Sequence, residues 1–284
     1  MPIRRNHAAV PLLLALSLFL QAARTPSALP HTPPPGGTRN FDIFGSTYRS
    51  VPLRDHRLRG AVFYIVSGHG GPDSGARGKR DGHTLCEDEY AYDVALRLAH
   101  NLLSHAAKVY IVTRDENDGI RDDKYLPCDS DETVWRGKTI PKGQLDRLKQ
   151  RADVVNSLYR RNRKAAYHRQ IVLHVDSRGK GDRVDIFFYH HSSSAAGKRT
   201  AGILQRTIEE KYRVHQPQRG YQGTVESRDR LYMLRKTLPR TVYIELGNIR
   251  NALDQRRFVS SDNRQALANW LSEGLQEDFR RNKR

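Results

Sequence analysis

Cysteine, methionine, tryptophan and long apolar runs are all scarce in this chain. Its 284 residues hold two cysteines, two methionines and two tryptophans. Cys86 and Cys128 lack the paired C-x-x-C spacing, which argues against a structural zinc knuckle. A disulfide between them and a thiol on a metal are both open from sequence alone. The apolar run Val10 to Leu20 is too short for a comfortable membrane span. No cysteine follows it, so a lipid-modified cysteine is not expected there. Acid is also short: 31 Asp and Glu stand against 49 Lys and Arg, a net charge of +18. Such an excess attracts polyanions. Aromatics are only 8% and no nucleic-acid-binding motif is recognisable, so no nucleic acid partner is expected. For an exported protein, wall and membrane polymers bearing carboxylate or phosphate are the expected polyanions.

What is present begins with Arg4-Arg5, the apolar run and Gln21-Ala22-Ala23. That is the layout of a secretory signal peptide, expected over 1–23, and it points to export to the periplasm or cell envelope. Residues 24–50, with Pro33-Pro34-Pro35-Gly36-Gly37, read as an extended, poorly ordered proline-rich linker. Within it, Phe41 to Val51 reads as a short strand or an N-terminal arm. Residues 51–279 suffice for one domain with a real core, and 280–284 form a basic, frayed tail.

Ala61 to Val66 is an apolar run of strand length. From Glu87 to Leu103, Ala91, Val94, Ala95, Leu98 and Leu102 recur at helical spacing. Ala107 to Thr113 is a second strand, and strand, helix, strand at this spacing argues a parallel crossover. The pattern breaks at 116–143, a charged, turn-rich insertion that reads as disordered or as a lid. Gln144 to Lys164 is a helix. Strands follow at Gln170–His174 and Val184–Tyr189, then a helix over Ser194–Val214. Thr241 to Glu245 reads as the last core strand, and Ser260 to Phe279 as the terminal helix. The fold class expected is α/β: a single domain with a mainly parallel twisted sheet flanked by helices, and a site at the strand ends.

The first strand runs into Ser67-Gly68-His69-Gly70-Gly71-Pro72-Asp73-Ser74-Gly75. Glycines there leave room for close approach to a ligand, and strand exits are where α/β sheets place their sites. A surface histidine on such a turn is common, so His69 alone decides little. Glu87 alone reads as a first-turn acid on the helix dipole, with Thr84 as its capping-box partner. His174 ends a second strand and Glu245 a third. Two imidazoles and a carboxylate make a three-ligand zinc set with one position open, and a further carboxylate supplies a base. His190 and His191 are extra ligand candidates, although adjacent strand residues point to opposite sides.

In these blocks the chain resembles the zinc-dependent N-acetylmuramoyl-L-alanine amidases of the bacterial cell wall, the amidase-3 family. The matching segments are Gly68-His69-Gly70-Gly71 with Asp73 and Gly75-Ala76, and Glu87 opening a helix that carries Asp93 to Leu98. Then come Val112 to Asp115, the helix with Arg151 and Asn156, Val172 to Asp176, and Glu245 to Asn251. Leu231 to Arg235 matches the family's strand before the last of these, which edges the substrate groove, and the blocks keep the family's order over about residues 60–279. The resemblance implies zinc (Zn2+) on His69, Glu87 and His174, Glu245 as catalytic base, and peptidoglycan as substrate. A monomer is expected, with any protein activator unidentified. The family's self-inhibited members insert an autoinhibitory helix after the histidine-bearing strand. Only a short link joins His174 to Val184 here, so that device is not expected. Val66-Ser67 replaces the family's acidic residue and proline, and Val172-Leu173-His174-Val175-Asp176 replaces Ser-Ile-His-Ala-Asn. These changes alter the surroundings of the ligands and leave two other readings open: a zinc hydrolase of another exported amide or peptide, and an inactive wall-binding module. The roles of Glu87 and Glu245 are interchangeable at this level.

Overall fold

The structure, a computed structural model, describes residues 36–178 and 181–283. The expected signal peptide over 1–23 and the first part of the expected linker lie outside the described residues. The rest of that linker is not loose. β1 (Gly36–Asn40) and β2 (Ser50–Leu53) pair antiparallel around a 3-10 turn (Asp42–Phe44) and the short α1 (Gly45–Tyr48). Phe44 is fully buried in a cluster with Tyr92, Leu96 and Ala99, so the linker expected over 24–50 ends by residue 36. The aromatic content of Phe41-Asp42-Ile43-Phe44 provides apolar surface that the preceding proline-rich stretch lacks.

The chain continues through β3 (Ala61–Ser67), the hairpin of β4 (Arg77–Arg80) and β5 (His83–Cys86), and α2 (Glu87–Ser104). β6 (Lys108–Ile111) is followed by three two-residue strands: β7 (Thr113–Arg114), β8 (Thr133–Val134) and β9 (Lys138–Thr139). Then come α3 (Gln144–Arg161), β10 (Tyr167–Asp176), β11 (Phe187–His190), α4 (Ala195–His215) and β12 (Val225–Ser227). α5 (Tyr232–Lys236), β13 (Arg240–Asn248), α6 (Ala252–Val259) and α7 (Ser261–Asn282) complete it. Among the described residues no helix is long and apolar enough to cross a membrane.

The central six-stranded sheet has the order β12-β11-β13-β10-β3-β6. The run from β13 to β6 is parallel, while β11 pairs antiparallel with β13. The expected mainly parallel sheet is therefore present, with helices on both faces. Alternation along β3 shows why both faces are covered. Ala61, Phe63 and Ile65 join the cluster under α2, α4 and α7, while Val62, Tyr64 and Val66 join the one under α3 and α5. α4 begins at a true cap, with the Ser194 Oγ accepting from the Gly197 N–H at 3.0 Å.

Three segments differ from expectation. The strand that the resemblance implies at Leu231–Arg235 is mostly the helix α5, whose Met233 and Leu234 are buried against the sheet. A short apolar run satisfies either period, and here packing selects the helix. The tail expected from 280 is helical as far as Asn282, with Glu277 bridging Arg280 and Arg281 at helical spacing. The insertion over 116–143 is ordered. Cys86 and Cys128 are joined in a disulfide. Arg121 N donates to Asp93 Oδ1 at 2.8 Å, and Arg264 Nη2 donates to the Arg121 and Asp123 carbonyls at 2.7 and 2.9 Å. These buried contacts exclude the disordered alternative, and the bridge removes Cys86 as a metal ligand.

Candidate metal centre

Three parallel strands and one helix deliver the site. β3 ends at Ser67, and the chain turns through His69 with φ +62. His174 sits near the end of β10, in register with Glu245 on β13. Glu87 is the first residue of α2. Residues in register on neighbouring strands face the same side, so Glu245 and His174 share one face of the sheet. All four residues thus stand at the same edge of the sheet.

One donor atom from each of His69, Glu87 and His174 lies within 4.8 Å of the others. Glu87 Oε1 is 2.8 Å from His174 Nδ1, and Oε2 is 3.3 Å from His69 Nε2. Glu87 also accepts from the Ala76 N–H at 2.8 Å and the Val175 N–H at 3.0 Å, so its carboxylate is fixed from every side. The expected capping box with Thr84 is absent: Cys86 is the N-cap and no side chain caps the helix. The glutamate faces the two histidines rather than its own helix end.

Asp73 completes the turn. Its Oδ2 lies 2.9 Å from His69 Nδ1 and 2.6 Å from Arg147 Nη2. A carboxylate on Nδ1 fixes the imidazole and leaves Nε2 toward Glu87, the arrangement that orients metal-binding histidines. The His174 ring stacks on Tyr243 with centroids 4.5 Å apart. Glycine is required on the opposite side. A Cβ at Gly68 would lie 2.1 Å from the His174 ring, and one at Gly75, where φ is +69, would lie 2.6 Å from Glu87 Oε2.

The electrostatics belong to a site that seeks a cation. Burial lowers the His69 pKa, but hydrogen bonds to Asp73 and Glu87 outweigh it and raise it from 6.5 to about 10. Burial raises Glu87, yet the two histidines win and hold it well below the usual carboxylate range. Burial lowers His174, and Glu87 only partly opposes this. Burial, then Glu87 and Asp176, pushes Glu245 well above the usual range. Its Oε2 is buried and has no hydrogen-bond partner among the described residues. Two imidazoles and a buried carboxylate around one point, with an orphaned carboxyl oxygen on the same face, fit zinc in an open three-ligand site.

Arg151 is buried on α3 and donates to the His69 carbonyl, and Asn156 ties α3 to the segment after α5 through Lys236 O and Leu238 N. His190 is buried with Nδ1 on the His191 carbonyl, and His191 faces Ser193 and Asp229, so neither joins the ligand set. Asp73 as the anchor of His69, and Glu132, whose Oε2 accepts from the Gly71 N–H at 2.5 Å, have roles the sequence did not disclose. Asp73 had a signal in its place four residues beyond His69. Glu132 had none.

A cleft of about 190 Å³ opens beside the two histidines, lined also by Arg147, Arg151, Leu231, Tyr232 and Tyr243. A larger depression, about 760 Å³, lies at the other edge of the sheet among Arg39, Lys108 and Arg160–Lys164. It offers no carboxylate, thiol or imidazole, so chemistry assigns the site to the smaller cleft.

A family model described as N-acetylmuramoyl-L-alanine amidase matches residues 63–277. No curated protein matches by sequence. Among solved structures, the N-acetylmuramoyl-L-alanine amidase AmiC2 of Nostoc punctiforme is similar at 19% identity, over 77% of this chain and 96% of that one, with a TM-score of 0.53. The CwlD amidase of Clostridioides difficile, solved with the GerS lipoprotein, reaches a TM-score of 0.57 at 17% identity over 77% and 98%. The catalytic domain of CwlV, an N-acetylmuramoyl-L-alanine amidase from Bacillus (Paenibacillus) polymyxa var. colistinus, reaches 0.53 at 20% over 76% and 97%.

Proposed function

The chain belongs to the N-acetylmuramoyl-L-alanine amidase family, and from that premise we propose that it uses zinc to hydrolyse the amide between N-acetylmuramic acid and L-alanine in peptidoglycan. The observation that carries the reading is the meeting of His69, Glu87 and His174 within 4.8 Å, from elements far apart in sequence.

When bound, zinc supplies Lewis acidity that polarises a carbonyl and acidifies water. His69, Glu87 and His174 would hold it. Asp73, itself braced by Arg147, keeps His69 in the tautomer that presents Nε2. Glu245 Oε2 takes a proton from the attacking water and returns it to the departing amine nitrogen. Burial makes the Glu245 anion costly, so a nearby cation favours the ionised base. Arg147 and Arg151, lining the cleft, supply positive charge for the carboxylates of a stem peptide.

We place this action in the periplasm or cell envelope, where the substrate lies. A disulfide between Cys86 and Cys128 suits such an oxidising compartment. Digestion of purified sacculi tests the whole reading. Zinc-loaded protein is expected to release muramic acid ends and free L-alanine amino termini. Glu245→Gln is expected to lower the rate about 10²- to 10⁴-fold with zinc content unchanged. Cleavage of peptide bonds alone, or an unaffected variant, would defeat the proposal.

A further inference from the structure

The disulfide brings together two acidic runs, of which the reaction uses Glu87 alone. Cys86 is followed by Glu87-Asp88-Glu89, and Cys128 by Asp129-Ser130-Asp131-Glu132. Glu87 faces the histidines. The carboxylates after it face the insertion, where Asp88, Glu89 and Glu132 each place an oxygen within 4.8 Å of the other two. Asp129, Asp131 and Glu132 form a second such group that shares Glu132. Two oxygens bound to one calcium ion at about 2.4 Å lie no more than about 4.8 Å apart, so these groups have the dimensions of a single coordination shell.

The first group is buried: Asp88, Glu89 and Glu132 are 2%, 1% and 5% exposed. Three carboxylates out of water demand counter-charge. Arg121 Nη1 supplies some, 3.0 Å from Glu89 Oε2, and Arg151 approaches from the side of the histidine turn. Asp129 N–H donates to Glu89 Oε1 at 3.1 Å, Gly71 N–H to Glu132 Oε2, and Glu89 N–H to Asp88 Oδ1 at 3.0 Å. Among the described residues Asp88 Oδ2 has no hydrogen-bond partner, although it is buried and its residue belongs to the group. An orphaned carboxylate oxygen among other carboxylates is a vacant ligand.

We propose that this chain carries a second metal site, for a calcium-class divalent cation, formed by Asp88, Glu89 and Glu132 with Asp129 and Asp131 beside them. The donors are all oxygen, which selects a hard cation and separates this site from the imidazole-containing one. Its position gives it a purpose. Asp88 and Glu89 belong to the first turn of α2, directly after Glu87. Glu132 holds the Gly71 N–H of the turn that carries His69. A cation here clamps the insertion to both the helix and the turn that position the histidines and Glu87.

The test uses full-length oxidised protein with its first site saturated with zinc. Terbium, a luminescent calcium surrogate, is titrated in while Trp135, three residues from Glu132, sensitises emission. Calcium binding is measured in parallel by calorimetry. The expected result is one terbium or calcium ion per chain beyond zinc, terbium displaced by calcium, and a rise in Tm with calcium. Asp88→Asn and Asp131→Asn are each expected to weaken calcium binding about ten-fold or more, with zinc content and far-UV spectrum unchanged. Absence of saturable binding in the wild-type protein would mean that the carboxyls share protons instead, and overturns the proposal. So does an affinity unchanged in both variants, or a site that takes zinc in preference to calcium. None of these readouts depends on hydrolysis, so the amidase reading stands or falls separately.

Discussion

Replacing both Cys86 and Cys128 with serine is expected to destabilise the protein by about 4 kcal/mol at most. The bridged residues lie 42 apart in sequence, and closing a loop of that length in the unfolded chain is worth about 4 kcal/mol at 25 °C in the chain-entropy account. The native side of the balance should change little, because other contacts hold the insertion. Arg121 N stays on Asp93, and Arg264 stays on the Arg121 and Asp123 carbonyls. The Leu126 N–H stays on the Tyr90 hydroxyl at 3.2 Å. In a domain of this size each 1 kcal/mol moves Tm by about 2–4 °C, so the expected fall is about 8–16 °C. Urea unfolding followed by far-UV circular dichroism, at matched zinc content, measures it. The double variant avoids mixed thiol adducts, and the oxidised wild type is the reference. A change under about 1 kcal/mol would refute the reasoning. So would complete unfolding of the variant at 25 °C, since that would show that the bridge, and not the arginine contacts, holds the insertion in place.

Asp73→Asn exchanges the anion on His69 Nδ1 for a neutral amide, and zinc affinity should fall about 10- to 100-fold, as metal competition would show. Phe44→Ala leaves a hole against Tyr92 and Leu96, and should cost about 3–5 kcal/mol in denaturant unfolding if residues 36–53 truly belong to the domain. In metal-free protein, burial holds Asp88 up to about 8 and Glu89 up to about 7. The folded chain then keeps protons that the unfolded chain releases near pH 4, so stability should fall as pH rises from about 4 to 8. Calcium should lessen that slope, as urea midpoints across the range would reveal, with Asp115, which burial also raises, keeping part of it.

The frame of the domain was readable because it depends on periodicity. Ala61 to Val66 and Thr241 to Glu245 are short apolar runs bounded by polar or glycine-rich turns, the pattern of a strand covered on both faces, and the stripe from Ala91 to Leu102 is that of a helix packed on one side. The meeting of His69, Glu87 and His174 was readable because the two histidines follow or close strands, Glu87 opens a helix, and all three stand in blocks that resemble those of the amidase-3 family. Their partners were not, since Asp73, Arg147 and Glu132 act through contacts across loops, and loop geometry leaves no period in a sequence. α5 was expected as a strand because the resemblance places one there, and five residues are too few for their own repeat to correct it.

The insertion is the instructive case. By composition, residues 116–143 are charged and rich in turns, the usual mark of a segment that cannot bury enough apolar surface to stay ordered. Its order comes from a few apolar anchors, Ile120, Leu126, Val134 and Ile140, each buried in the core, together with one disulfide, the carbonyls bound by Arg264 and the carboxylates gathered between them. That solution carries a cost, because like charges brought together out of water repel. Arg121 offsets part of it at Glu89, but Asp88 keeps an oxygen with no partner. A chain that spent this much charge beside its histidines either holds those protons at neutral pH or binds a cation there. The two differ in the sign of the stability change on adding calcium near pH 8. Proton sharing gives none, whereas a cation site gives an increase that grows with calcium concentration.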